Sequence, residues 1–335
     1  MLAETTRGGI VESVHDGVIA VVDVAGRLVA SVGDPETVVF YRSSAKPFQA
    51  IPLVESGAAD RFGLTERELA LACASHSGQP HHQDEVRAML AKLGLTEAAL
   101  QCGCVVPYDP DEGARVAAGL VPLSPLQCDC SGKHAGMLAA CLQRGEPTET
   151  YLDPGHPLQQ AILTIMAEVM RVPRESVALG TDGCSLPTFG APVRAFAASW
   201  ATLAAPERAP AGAGREHAAA LSRLGRAMLA APENVAGDGQ FVTDLMRLGE
   251  GRVIAKSGAE GLICLAVPEA GLGVAVRVRD GSFRTHPVVV AELLRQLGVG
   301  GPGLPRLILE AHPPQLRNHN GRVVGELRAA FALAG

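Results

Sequence analysis

The sequence is short of lysine. Of 29 basic residues in 335, only Lys46, Lys92, Lys133 and Lys256 are lysines; the rest are arginine. Aromatic residues are scarce at 4%, so a core must be built from Ala, Val and Leu, which the 47% hydrophobic content amply allows. There is no basic stripe, and the formal net charge is −6, which argues against nucleic acid as a partner. No apolar run reaches the roughly 18 residues of a membrane span; the longest, 195–205, is too short. The opening MLAETTRGGI lacks a basic region followed by an apolar one, so it does not read as a secretory signal, and a cytoplasmic location is expected. In that compartment the eight cysteines should be reduced, and clustered ones read as metal ligands or packing rather than disulfides.

Where lysine was kept is informative. Arginine stays protonated in proteins, whereas lysine can be driven to the neutral amine and act as a base or a ligand. Three of the four lysines lie in strings rich in Ser, Gly or Cys: SSAKP, CSGKH and AKSGAEG. Lys92, in MLAKLG, reads as an ordinary helix-surface lysine.

Alternation and turn residues predict strands over 10–14, 18–24, 28–32 and 38–41, the first three as antiparallel hairpins. A helical period follows over 48–55, with Pro47 in its first turn, and Thr65 with Glu68 forms a capping box opening a helix that runs through Cys73. Helices are predicted over 83–93, 131–144, 157–170, 189–203, 216–229 and 242–248, with a short strand at 177–179 and a loop at 204–214. Strands return at 253–256, 261–267 and 273–278, followed by a helix at 288–297 and a last strand at 322–324. No internal repeat is present. This order predicts an α/β (α+β) architecture: one catalytic domain over 1–335, in two lobes, with a mixed sheet built from both termini and a helical region inserted.

Ser43-Ser44-Ala45-Lys46 is a Ser-x-x-Lys string. On a helix, positions three apart share a face, so the Ser43 hydroxyl comes within reach of the Lys46 amine. A serine needs a base to become a nucleophile. A lysine, with an ordinary pKa of about 10.4, needs burial or a neighbouring cation to be that base. The plain alternative is a serine cap beside a surface lysine. Lys256-Ser257-Gly258 on a predicted strand shifts the balance, because serine β-lactamases and penicillin-binding proteins combine Ser-x-x-Lys with a later Lys-Thr-Gly strand. An edge-strand lysine beside a turn is the alternative there. Ser75, in the string Ala74-Ser75-His76-Ser77-Gly78, is either a second cleft hydroxyl or a partner for orphan carbonyls at a helix end. The strings Cys128-Asp129-Cys130-Ser131-Gly132-Lys133-His134 and Thr181-Asp182-Gly183-Cys184 hold enough thiol and nitrogen donors for a three-point zinc site, or are buried reduced cysteines. Cys73, Cys141 and Cys264 fall on apolar faces and read as core.

Taken in order, RSSAKPFQ, CASHSG, CSGKHAGML, TDGCSLP and AKSGAEGL resemble the L-asparaginase II family, the rhizobial type, over nearly the whole chain. The resemblance implies a serine β-lactamase-like or penicillin-binding-protein-like fold and hydrolysis of L-asparagine to L-aspartate and ammonia. It implies two Ser–Lys tandems, Ser43 with Lys46 and Ser75 with Lys256. It further implies a zinc ion held by Cys130, Lys133 and Cys184 with Asp182 close by, a pocket shaped by Arg42 and His134, and a homodimer. Three departures stand out: Gln79 where the family commonly has Glu, the additional thiol of Cys128, and Ser185-Leu186-Pro187 after Cys184. The rival readings are a glutaminase or β-lactamase-like hydrolase on the same fold, and, in another class, an inactive zinc-binding or amino-acid-binding protein.

Overall fold

Chain from both ends builds the central sheet of the computed structural model, which covers Met1–Gly335. The sheet has five strands in the order Leu28–Val32, Gly17–Asp23, Leu272–Val278, Leu262–Val267 and Ile254–Gly258. Its two halves join where Gly17–Asp23 pairs with Leu272–Val278, with Ala20 opposite Ala275. Each pairing in it is antiparallel. The runs Val18–Val22 and Leu262–Val267 are apolar without alternation because both of their faces are buried. The helix Val193–Ala204 packs on this sheet. Gly273 permits that approach: a Cβ there would sit 2.0 Å from the Ala197 carbonyl oxygen. Around this layer, 94 buried apolar residues form one cluster.

A second sheet matters more for the chemistry. It orders Val38–Phe40, Pro187–Pro192 and Ala178–Thr181, and the Tyr41 N–H extends it by donating to the Phe189 carbonyl at 2.7 Å. One of its edge strands runs into the turn Arg42–Ala45, and the other into the turn containing Asp182 and Cys184. A third sheet, Gln315–Arg317, Val323–Ala329, Ala3–Arg7 and Ile10–His15, lies at the chain ends.

The sheet built from both termini and the inserted helices agree with the expectation, and so does the capping box at Thr65, whose hydroxyl accepts from Glu68 N–H. Helices at Pro110–Ala117 and Gly303–Ala311 and a strand at Gln315–Arg317 were not expected, and other elements differ in pairing or extent. Residues 10–14 do not pair with the following strand. They pair with Ala3–Arg7, whose polar sequence AETTR hides four buried positions. The expected helix over 189–203 begins only at Val193, since Gly190 and Pro192 disfavour helix and the segment fills the gap between two edge strands. The last strand is longer than expected and reaches Ala329. No helix is long and apolar enough to cross a membrane.

Candidate active site

The strand Ile254–Gly258 packs against the turn Arg42–Ala45. A Cβ at Gly258 would lie 3.1 Å from Ser44 Oγ, and Ser44 Oγ donates to the Lys256 carbonyl at 2.9 Å. The helix Glu66–Ala72 ends beside them, and the Ser75 N–H that follows donates to the Val235 carbonyl. These contacts bring two buried lysines onto one hydroxyl. Lys46 Nζ donates to Ser75 Oγ at 2.7 Å and to the Ala74 carbonyl. Lys256 Nζ lies 2.9 Å from the same Ser75 Oγ and 2.8 Å from the Ser257 carbonyl. The expected reach of Lys46 to Ser43 is not realised as a hydrogen bond; a buried amine takes the acceptors that satisfy it, and here these are Ala74 and Ser75.

The two amines differ in charge. Burial and the Lys46 charge push Lys256 down to about 7. Burial works against the Lys46 ammonium too, but Cys130 and Asp129 outweigh it and hold the amine above its ordinary value. The Asp129 carboxylate stands 3.6 Å from Lys46 Nζ. Of the two, it is Lys256 rather than Lys46 whose surroundings favour the neutral amine.

Ser43 and Ser75 open into one cavity of about 440 Å³, walled on its polar side by Asp129 and Ser257 and on its apolar side by Phe241 and Phe283. Larger open grooves, of about 550 and 640 Å³, contain Arg171 and Arg226 respectively but no serine or cysteine nucleophile.

A second cluster lies behind the first. Cys130 caps the helix Ser131–Arg144, Lys133 sits in its first turn, and Cys184 arrives from the turn after Ala178–Thr181. Gly132 lets the helix start lie against Glu66–Ala72, since a Cβ would be 2.4 Å from the Leu71 carbonyl oxygen. Lys133 Nζ donates to Cys184 Sγ at 3.2 Å, and the Cys130 thiol meets those of Cys128 and Cys184. Hydrogen bonds from these two thiols hold Cys130 well below the usual thiol range. Burial opposes the Lys133 charge, but Cys184 and Cys130 keep it protonated. Two buried thiols and one amine, with Cys184 touching both Lys133 and Cys130, are a donor set suited to a divalent ion such as zinc. Another trio, Cys141, Glu146 and His156, also brings ligand atoms within 4.8 Å of one another. Both His156 nitrogens are engaged there, one accepting from Leu158 N–H and one facing the Pro147 carbonyl, so that trio is structural.

Arg42, His134 and Asp182 are not among the residues lining the cavity. Arg42, with a left-handed backbone at φ 49°, pairs with Asp182 at 2.8 Å and so ties the turn before Ser43 to the turn before Cys184. His134 is buried against the Tyr151 hydroxyl, and burial pushes it down to about 3. Gln79 has a local reason to be an amide: it donates to Asp109 at 2.9 Å and accepts from Asp238 N–H at 3.0 Å, and a carboxylate could not donate. Sequence reasoning passed over Asp129 as a site residue. Its one signal was its place between two cysteines in an already conspicuous string. Tyr108 and Phe283, both more than half or half exposed at the cavity, carried no signal beyond being aromatic in an aromatic-poor chain.

Comparison with known proteins bears on this arrangement. The family profile described as L-asparaginase II matches residues 3–329. No curated protein matches the chain. Among solved structures, a β-lactamase from Mycobacterium bovis is similar, with 14% identity, TM-score 0.39, and 88% of this chain and 94% of that one covered. A native-form structure of Mglu is similar, with 15% identity, TM-score 0.37, and 92% of this chain and 63% of that one covered. Likeness at this level adds nothing to the chemistry.

Proposed function

We infer that this chain, which belongs to the L-asparaginase II family, hydrolyses the side-chain amide of L-asparagine to L-aspartate and ammonia through a serine acyl-enzyme. Family membership makes it a hydrolase acting on an amide. The finer reading rests on one observation: Ser75 bridges two buried lysine amines at the wall of a cavity that also presents Ser43.

In this reading Ser43 attacks the amide carbon, and its proton passes through the Ser75 hydroxyl to the neutral Lys256 amine. The oxyanion is held by backbone N–H groups: that of Ser43, at the opening turn of a helix, and that of Ala259, which follows the lysine-bearing strand into the cavity wall. The Lys46 ammonium keeps Ser75 polarised, and the leaving nitrogen takes a proton back through Ser75 as the C–N bond breaks and ammonia departs. Water then cleaves the β-aspartyl ester and restores Ser43. Cys130, Lys133 and Cys184 would hold a zinc ion, whose charge would organise the pocket wall; ligation requires Lys133 to lose its proton, so metal uptake should rise with pH. The partner we propose is L-asparagine alone, taken as substrate by a cytoplasmic homodimer.

A second reading makes Ser75 itself the nucleophile, favoured by the fact that both lysines bond to it and neither to Ser43. Acid-quenching the enzyme during turnover and mapping the peptides separates them. An aspartyl ester on the Ser43 peptide supports the first reading, and one on the Ser75 peptide the second. Ammonia release from asparagine that survives Ser43→Ala would sink Ser43 as the nucleophile, and a panel of asparagine, glutamine and a chromogenic β-lactam tests the substrate.

A further inference from the structure

Asp129 is the only carboxylate lining the cavity, and no arginine or lysine lines it. Its backbone is fixed beside the reactive hydroxyl, because the Asp129 carbonyl accepts from His76 N–H at 3.1 Å, one residue after Ser75. Its carboxylate is poorly satisfied. A carboxylate offers about four acceptor positions, yet these oxygens meet only the Cys128 thiol at 3.9 Å, the Cys130 sulfur at 3.5 Å and the Lys46 amine at 3.6 Å, and burial together with the Cys130 charge pushes the carboxyl up, so the nearby amine does not fully compensate its charge. The side chain is 19% exposed, and it lines the cavity together with Tyr108. A largely buried anion with unfilled acceptors calls for a cationic donor.

We propose that Asp129 anchors the α-ammonium group of the substrate and thereby restricts the enzyme to amides of free amino acids. This rests on the amidohydrolase reading above. Asp129 is then a specificity-determining residue: it grips the end of the substrate remote from the bond being broken, and that grip sets the amide carbon against the serines. Two rival roles exist for the same carboxylate, as the partner that keeps Lys46 charged and as the base that activates the water in ester hydrolysis. Either would serve every amide alike.

The test compares L-asparagine with succinamic acid, which is asparagine with hydrogen in place of the α-amine, by ammonia release in wild type and in Asp129→Asn. Damage to Lys46 or to the water step lowers both substrates together and cancels in the ratio of their kcat/KM values. The expected result is that this ratio, strongly in favour of asparagine in wild type, falls by at least about tenfold in the variant. An unchanged ratio overturns the proposal. A measurement on wild type alone guards against a variant that fails to fold: L-aspartate should inhibit at least about tenfold more tightly than succinate, and equal inhibition overturns the proposal as well. If wild type releases ammonia from neither substrate, the underlying amidohydrolase reading falls, which is a distinct outcome from activity without discrimination.

Discussion

Lys256 and Lys133 are both buried, at 0% and 3% exposure, yet their surroundings drive the two amines in opposite directions. Burial comes first for each and disfavours the charge. At Lys256 the Lys46 ammonium adds to it, and the amine falls to about 7. At Lys133 the neighbours are Cys184 and Cys130, and they reverse it. The same side chain is pushed towards the neutral amine in one region and held as a cation among sulfurs in the other. Burial makes a lysine responsive, and the sign of its neighbours decides the response.

The sharpest way to break this contrast is to remove the base. Lys256→Met should lower ammonia release by roughly 10³-fold, and Lys256→Arg should not restore it, because guanidinium does not deprotonate. Activity retained in the arginine variant would mean that position 256 supplies only charge. On the metal side, Lys133→Met should strip zinc, read by elemental analysis, and cost about 10- to 100-fold in activity. It should also leave the acid limb of the pH profile in place. That limb is the next test: kcat/KM should fall below about pH 7 as Lys256 takes up its proton, and a limb near pH 4 would point to a carboxylate instead.

Stability should show the same sign difference more quietly. The folded Lys256 loses its proton near 7, whereas the unfolded one keeps it to about 10.4. Between these values the unfolded chain binds more protons, so wild type gains stability as pH rises. Below 7 both states are protonated and the full penalty of the buried charge remains. Lys256→Met should therefore melt several degrees above wild type at pH 6, with the gap closing towards pH 10. The smallest effect is expected where the two regions are tied together: Arg42→Ala removes a partly exposed ion pair to Asp182 and should cost about 1 kcal/mol or less.

Much of the fold was legible because hydrophobic period reports burial directly. The strands Gly17–Asp23, Leu262–Val267 and Leu272–Val278 and the helices Ser131–Arg144 and Pro157–Met170 announce themselves this way, to within a residue at each end. Ala3–Arg7 did not, because its Glu and Thr side chains are covered by neighbouring strands rather than by a periodic apolar face. Within the site, the strings marked each of the three lysines that the fold buries. They did not show which serine each lysine would meet, since Ser75 comes to Lys46 and Lys256 through contacts between distant segments.

By itself, then, the sequence determined the family, the sheet drawn from both termini, and the three Ser-, Gly- or Cys-rich strings in which lysine was kept. Only the tertiary structure decided that two of those lysines share one serine, that the surroundings favour the neutral amine at Lys256 rather than at Lys46, and that Asp129 lines the cavity. The physical reason is that charge state depends on what lies within a few ångströms of an amine. Residues 46, 75, 129 and 256 become neighbours only when the strand Ile254–Gly258 docks on the turn Arg42–Ala45.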